Sequence, residues 1–403
     1  MLKSLKALLC LLLAAVSLLS GCAGEAPKES AASDAEATAA PATQPTTAAV
    51  AATAPATSDS APVDDSAITY NSYEIKKNID EIDETLDKLL DAHQFIGVVY
   101  IKCGNDYEAV RERGVANQGA HLNNSIHTGV YTGELTRLVT AIAVLQLSES
   151  KKLDLQSDLT PYFPDCAYAK DVTVEQLLTM TAGIPDYVQG GASVLKSPVE
   201  DLSAQLKEND AAHNRQAVLN WILKQQRPLT APAFSPSNSN YFLLGEIVEK
   251  ASGESYESYV TEHIFRPLYM TKSGFAAGES TARAYKGTEK SAVMLYPGVG
   301  YAALGMVTDV SDLLKLVDGI MTNAVVSEQA FQKLFTDYGS GYGYGAQVSG
   351  IRVTCSGSMD AYKAKLSFTA NNNQIYIALS NDTNSSPEDI HRLFREYLVK
   401  FRN

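Results

Sequence analysis

Gly133-Glu134-Leu135-Thr136-Arg137-Leu138-Val139-Thr140-Ala141-Ile142-Ala143-Val144-Leu145-Gln146-Leu147 is the stretch whose reading decides the fold. Leu135, Leu138, Val139, Ile142 and Leu145 recur at helical spacing, and Ala141, Ala143 and Val144 fill most of the opposite side. A helix that is apolar nearly all round is a buried one. It starts after Thr132-Gly133, so its first turn presents backbone N–H groups at a cavity or surface, where a nucleophile or an anion can be held. The polar residues on that turn are Glu134 and, three positions on, Arg137.

Upstream, Lys3 and Lys6 precede an apolar run from Ala7 to Leu19, followed by Leu19-Ser20-Gly21-Cys22. A basic start, a short apolar core and small residues at its end describe a bacterial secretory signal over residues 1–21. The ending resembles a lipobox, which makes Cys22 the lipidated first residue of the mature protein and the membrane its partner through that lipid. Residues 22–66 then read as a disordered tether of Ala, Thr, Pro and Ser with no apolar periodicity. Its r.m.s. reach as a flexible coil is roughly 35–40 Å.

Residues 67–403 form one large domain with no second linker. The net charge of −13 argues against nucleic acid as a partner. Of the five cysteines, Cys103, Cys166 and Cys355 lie in this domain, an odd number without metal spacing and not a disulfide framework. The six histidines show no zinc pattern, and no metal or other cofactor is expected.

Ile75, Ile79, Ile82, Leu86 and Leu89 predict one amphipathic helix. Gly97 to Cys103 and Tyr107 to Arg113 predict a hairpin across Gly104-Asn105. Near the other end, Ala346 to Cys355, Lys363 to Ala370 and Ile375 to Ser380 read as strands, with Asn371-Asn372-Asn373 turning the last pair. A closing helix begins at Ser386-Pro387-Glu388 and buries Ile390, Leu393, Phe394, Tyr397 and Leu398. Strands at both ends of a mostly helical middle predict an α+β architecture. In it an antiparallel sheet is flanked by the terminal helices, and a helical lobe, roughly 134–300, is inserted with a cleft at the junction.

The middle of the chain carries an ordered series of segments: Lys152-Leu153-Asp154-Leu155, Pro161-Tyr162-Phe163-Pro164, Val172 to Tyr187 with Thr181-Ala182-Gly183-Ile184-Pro185, Ser237 to Glu249, and Ile264-Phe265-Arg266-Pro267-Leu268-Tyr269-Met270. Together they resemble the serine β-lactamase and penicillin-binding-protein superfamily, on the branch of class C β-lactamases, D-alanyl-D-alanine carboxypeptidases and related esterases. The resemblance implies the β-lactamase/transpeptidase-like two-lobe fold. Each segment also has a plain structural meaning. Tyr241, Leu244, Val248 and Ala251 form a helix stripe that Asn238 or Ser239 can cap and Gly253 can end.

Acyl transfer in that superfamily uses a Ser-x-x-Lys pair on the first turn of the buried helix, where one helical turn brings the amine to the hydroxyl. A Tyr-x-Asn element adds a second proton-transfer group. A Lys-Thr-Gly or His-x-Gly strand supplies a cation or proton donor and part of the oxyanion hole. Matching by motif places Glu134 at the serine position and Arg137 at the lysine position. Pro236 then stands at the tyrosine position, in Pro236-Ser237-Asn238, and Cys355-Ser356-Gly357 at the strand. Asn238 and Gly357 are retained, while the nucleophile, base, phenol and strand proton donor are all replaced. Arginine, with its pKa above about 12, is no base. Ser148 to Lys151 and Ser193 to Lys196 repeat the Ser-x-x-Lys spacing at places expected by chance.

The expectation is therefore a membrane-anchored, extracytoplasmic lipoprotein whose hydrolase-like domain is a catalytically inactive pseudoenzyme. Its role would be binding or sensing, with cell-wall peptide or a cell-surface protein as the ligand. The alternative is an active hydrolase of carboxypeptidase, β-lactamase or esterase type with a rewired nucleophile, Ser237 or Cys355.

Overall fold

The computed structural model describes residues 69–402 apart from 190–196, 227–233, 288, 291–295 and 372–373. Residues 1–21, Cys22 and the 22–66 stretch lie outside the described residues, as do the Ser193–Lys196 spacing and part of the Asn371–Asn373 turn.

The sheet has six strands: β1 (Gly97–Cys103), β2 (Tyr107–Arg113), β3 (Gln347–Ser349), β4 (Arg352–Met359), β5 (Tyr362–Thr369) and β6 (Gln374–Ser380). Their spatial order is β3-β4-β5-β6-β1-β2, antiparallel at every pairing. The N-terminal hairpin thus docks on the last C-terminal strand, closing the sheet across most of the chain. The β1–β2 hairpin has the predicted boundaries, with Cys103 opposite Tyr107. The stretch from Ala346 to Cys355, expected as one strand, is two: Gly350 and Ile351 turn the chain, and Ser349 pairs with Arg352. The turn takes Gly350 at φ +56°, a conformation that side chains resist.

Alternation along the strands gives the sheet two buried faces. Val99, Ile101 and Cys103 of β1 join Tyr376 and Ala378 of β6 under the terminal helices. Val98 and Tyr100 face the helical lobe with Leu366, Phe368 and Ile377. The terminal helices are α1 (Ser72–Lys77), α2 (Ile79–Ala92) and α5 (Pro387–Leu398). The single N-terminal helix expected from the isoleucine spacing is broken at Asn78, whose side-chain amide donates to the Glu74 carbonyl at 2.7 Å. The buried stripe then runs Ile82, Leu86, Leu90, leaving Ile79 and Leu89 half-buried. Ser386 caps α5, with Pro387 in its first turn. Ile390, Phe394 and Leu398 are buried there, with Leu393 and Tyr397 only partly so.

Between the hairpin and the C-terminal strands lie α3 (Thr136–Glu149) and α4 (Asn238–Ser252), packed on each other in the larger core. From Thr136 to Leu147 every residue of α3 except Arg137 and Gln146 is buried, as the all-round apolar pattern requires. Helices continue past residue 300, at Val310–Met321 and Glu328–Leu334, so the helical lobe is longer than the sequence pattern suggested.

Candidate active site

Glu134 sits on a 3₁₀ turn, Gly133–Leu135, that runs directly into α3. The turn is pressed against β4. A Cβ on Gly357 would lie 1.9 Å from the Thr132 carbonyl oxygen and 2.7 Å from the Glu134 nitrogen, so only glycine permits this approach. Gly133 reciprocates at φ +55°, where a Cβ would be 2.5 Å from the Ser358 nitrogen. Two glycines thus set the helix entrance backbone to backbone on the strand.

The contact decides what Glu134 does. Its Oε2 accepts a hydrogen bond from the Ser358 N–H at 2.9 Å. Its Oε1 lies 4.0 Å from Arg137 Nη2, with only 15% of the Glu134 side chain and 11% of the Arg137 side chain exposed. Arg137 Nη2 donates to Asn238 Oδ1 at 2.7 Å. Asn238 Nδ2 in turn donates to Asp186 Oδ2 at 2.9 Å. The result is a partly buried chain, Ser358–Glu134–Arg137–Asn238–Asp186, spanning the strand, the central helix and the start of α4. Burial raises the Asp186 carboxyl above its ordinary range, opposed by hydrogen bonds from Val188 and Asn238 and by the Arg137 charge.

The structure therefore brings Glu134, Arg137, Asn238 and Gly357 together. The other site residues read from the sequence have different situations. Pro236 is exposed. Ser237, not Asn238 or Ser239, is the N-cap of α4: its Oγ accepts from the Ser239 N–H at 3.2 Å, and the residue is 1% exposed. Cys355 is buried on β4 with its Sγ 3.9 Å from the Gly345 carbonyl, and desolvation pushes its thiol up to about 12. A buried, protonated thiol is a poor nucleophile. Cys103, Cys166 and Cys355 are all free thiols.

Sequence reasoning missed Ser358, Asp186 and Tyr342. Ser358 follows Gly357 on the strand, and Asp186 follows Gly183-Ile184-Pro185 within the Val172–Tyr187 segment, so adjacency to motif residues was the available signal. Tyr342 has no sequence signal. Its buried phenol lies beside Arg137, and desolvation raises its pKa against the lowering effect of that charge, so it holds its proton at neutral pH. Tyr241, from the α4 stripe, places its ring centroid 5.8 Å from the Arg137 guanidinium carbon.

The helix entrance lies against an antiparallel strand, and an α4 asparagine accepts from the cation three residues into the entrance. The family described as Beta-lactamase matches residues 82–399. The chain belongs to that family. Among its relatives is the Bacillus subtilis (strain 168) protein named "Putative penicillin-binding protein PbpX", 26% identical over 345 residues that cover 78% of this chain and 80% of that one. A penicillin binding protein from Bacillus halodurans has a similar structure, with a TM-score of 0.67 at 24% identity over 77% of this chain and 99% of the other. A class C beta-lactamase gives a TM-score of 0.65 at 19% identity, covering 81% of this chain and 97% of the other. The domain is thus a β-lactamase-related, serine hydrolase-like domain with the β-lactamase/transpeptidase fold.

Proposed function

We propose that this protein is a non-catalytic member of its family, anchored through a lipid on Cys22 to the extracytoplasmic face of a bacterial membrane. Its cleft serves binding or sensing of cell-wall peptide or a cell-surface protein. The observation that carries the reading is the Glu134 carboxylate on the Ser358 N–H. In the family to which the chain belongs, the residue at the helix entrance attacks a carbonyl and the neighbouring strand helps hold the oxyanion. Here the entrance residue is itself an anion, and it occupies the strand N–H that the reaction would need. Arg137, at the position of the proton-accepting lysine, is committed to Asn238 and stays charged.

Loss of a nucleophile or base in a comparable acyl-transfer site costs roughly 10⁶ in rate. Glu134 also faces whatever carboxylate a β-lactam or a D-Ala-D-Ala peptide would bring. Two like charges about 4 Å apart repel by about 4 kcal/mol at an effective dielectric of about 20, less what Arg137 offsets. The rewired-hydrolase reading is disfavoured by the burial of its two nucleophiles, one a helix cap and the other a thiol raised to about 12.

The test is intact-mass spectrometry of the domain after incubation with benzylpenicillin and with a fluorophosphonate. No mass addition is expected. A penicillin-dependent or fluorophosphonate-dependent adduct at any residue of the unmutated domain would overturn the non-catalytic reading and favour the rewired hydrolase. Restoring acylation is expected to need at least Glu134→Ser, Arg137→Lys and Pro236→Tyr together, because such residues act as a unit.

A further inference from the structure

His391 of α5 stacks on Tyr376 of β6, with ring centroids 4.5 Å apart, and is 5% exposed. Its Nε2 is enclosed and meets no hydrogen-bond partner among the described residues. Beside the ring, between α5 and the sheet, lies a cavity of about 20 Å³, with room for about one water molecule. Arg352 of β4, Lys102 of β1 and Arg395, one turn further along α5, line that cavity together with His391, and no carboxylate does.

The other polar groups around the ring offer a proton there no counter-charge. Lys365 of β5 donates to Ser356 Oγ at 3.0 Å and to Glu388 Oε2. Glu388, one turn before His391 on α5, is thus held by Lys365 and Ser356, with 60% of its side chain in solvent. Gln374 of β6 accepts from Arg352 and donates to the Tyr70 hydroxyl. Burial keeps the remaining acids neutral, pushing the Cys103 thiol up to about 12 and the Tyr70 phenol higher still. His93, just past α2, acts on Asp389 instead, favouring its carboxylate, so a proton on His93 strengthens the start of α5. A charged His391 would be a buried, unpaired cation among other cations, which the docked helix cannot accommodate.

The layer that α5 belongs to is separable from the rest of the domain. Ile390, Phe394 and Leu398 pack with Ile75, Ile82 and Leu86 in the smaller core, whereas α3 and α4 lie in the larger core on the opposite face of the sheet. Elements with their own small core open at lower free energy than the whole. The end of this layer also grips the first described residues of the domain. The Asn71 N–H donates to the Phe401 carbonyl at 2.8 Å, Tyr70 bridges to Arg402, and Tyr397 Oη and Lys400 Nζ both donate to Glu81 Oε1.

We propose that α5 is an acid-released latch: a proton on His391 frees α5 and the Val399–Phe401 turn from the sheet, and with them the grip on residues 70–77, while the lobe around α3 stays folded. In the closed state burial, with the charges of Lys365, Arg395 and Arg352, holds His391 well below its ordinary range. The released ring takes its proton at about pH 6.5. Closed protein refuses a proton that open protein binds, so release is unaffected above about pH 7 and becomes easier as pH falls below about 6.5, until the closed-state pKa is reached. One such group raises the opening constant about 25-fold between pH 7 and 5. The latch lies on the far side of the sheet from α3 and does not depend on the function proposed for Glu134.

The test is hydrogen exchange of the domain followed by mass spectrometry at pH 7 and 5, corrected for the intrinsic pH dependence of amide exchange. Protection of peptides within residues 387–401 should fall about 25-fold, peptides within residues 70–77 should follow, and α3 should keep its protection. His391→Phe, which leaves a ring on Tyr376, should reduce the fall to less than about twofold. Should that variant not fold, the pH profile of the unmutated domain decides by itself: loss of α5 protection must be confined to pH values below about 6.5. Unchanged protection of α5 at pH 5, equal loss across α3, or the same loss in folded His391→Phe would overturn the proposal.

Discussion

Replacing Glu134 by Ala measures whether this carboxylate is a structural pin. The substitution removes the acceptor for the Ser358 N–H and the acid nearest Arg137 on its own helix. A hydrogen bond to a charged group is worth about 1.5–3 kcal/mol, and the Ser358 N–H would be left facing a small void. Relief of the Glu134 desolvation cost offsets part of the lost attraction to Arg137, so a net destabilisation of about 2–3 kcal/mol follows. In a domain of this size, each kcal/mol moves Tm by about 2 °C, giving a fall of about 5 °C by differential scanning fluorimetry. Glu134→Gln keeps an acceptor for Ser358 while losing the charge, and should recover about half of the fall. Sodium formate, a free carboxylate small enough for the vacated space, should raise the Tm of Glu134→Ala and leave the unmutated domain unchanged. An unaltered or higher Tm for Glu134→Ala, or equal stabilisation of both proteins by formate, would refute the reasoning. It would mean that Glu134 is held at the cost of stability, as a reactive group commonly is.

The remaining predictions concern the close approach, a buried histidine and the anchor. Gly357→Ala drives a methyl into the Thr132 carbonyl and should cost at least about 1–3 kcal/mol, read as a lower Tm or loss of soluble protein; a Tm within a degree of the parent would contradict the packing. His391 is buried against Tyr376, and desolvation, with the charges of Lys365, Arg395 and Arg352, holds its pKa well below 6.5. Below pH 6.5 the unfolded chain therefore binds a proton that the native state refuses, so stability falls as pH drops, by up to about 1.4 kcal/mol per unit until the native pKa is reached. His391→Phe should remove that slope between about pH 7 and 5 in urea unfolding; an unchanged slope would show that other groups set it. Cys22→Ser should release the protein from membranes or block its processing, and unchanged membrane fractionation would count against the lipid anchor.

The ordered series of motif segments carried the family resemblance, and periodicity, a local property, was sufficient for most of the scaffold. The all-apolar run behind Glu134 made a buried helix, and the hairpin from Gly97 to Arg113 and the helix after Ser386 stand where their patterns put them. Local pattern was weaker where a turn hides inside an apolar stretch. Gly350 divides the strand expected up to Cys355, and Asn78 breaks the helix expected from Ile75 to Leu89.

What Glu134 and Arg137 contact was decided by tertiary structure. The two stand three residues apart on one turn, yet 4.0 Å separates them. Their shorter contacts come from Ser358, 224 residues away in the chain, and Asn238, 101 residues away. Neither distance is encoded by periodicity on α3. Both follow from two glycines letting a strand backbone touch the helix entrance, and from the cap of α4 being Ser237, which leaves the Asn238 amide free to turn toward Arg137 and Asp186. Residue identity thus fixed which chemical groups the helix entrance carries, whereas packing between distant segments determined that the Glu134 carboxylate would be bound to the strand.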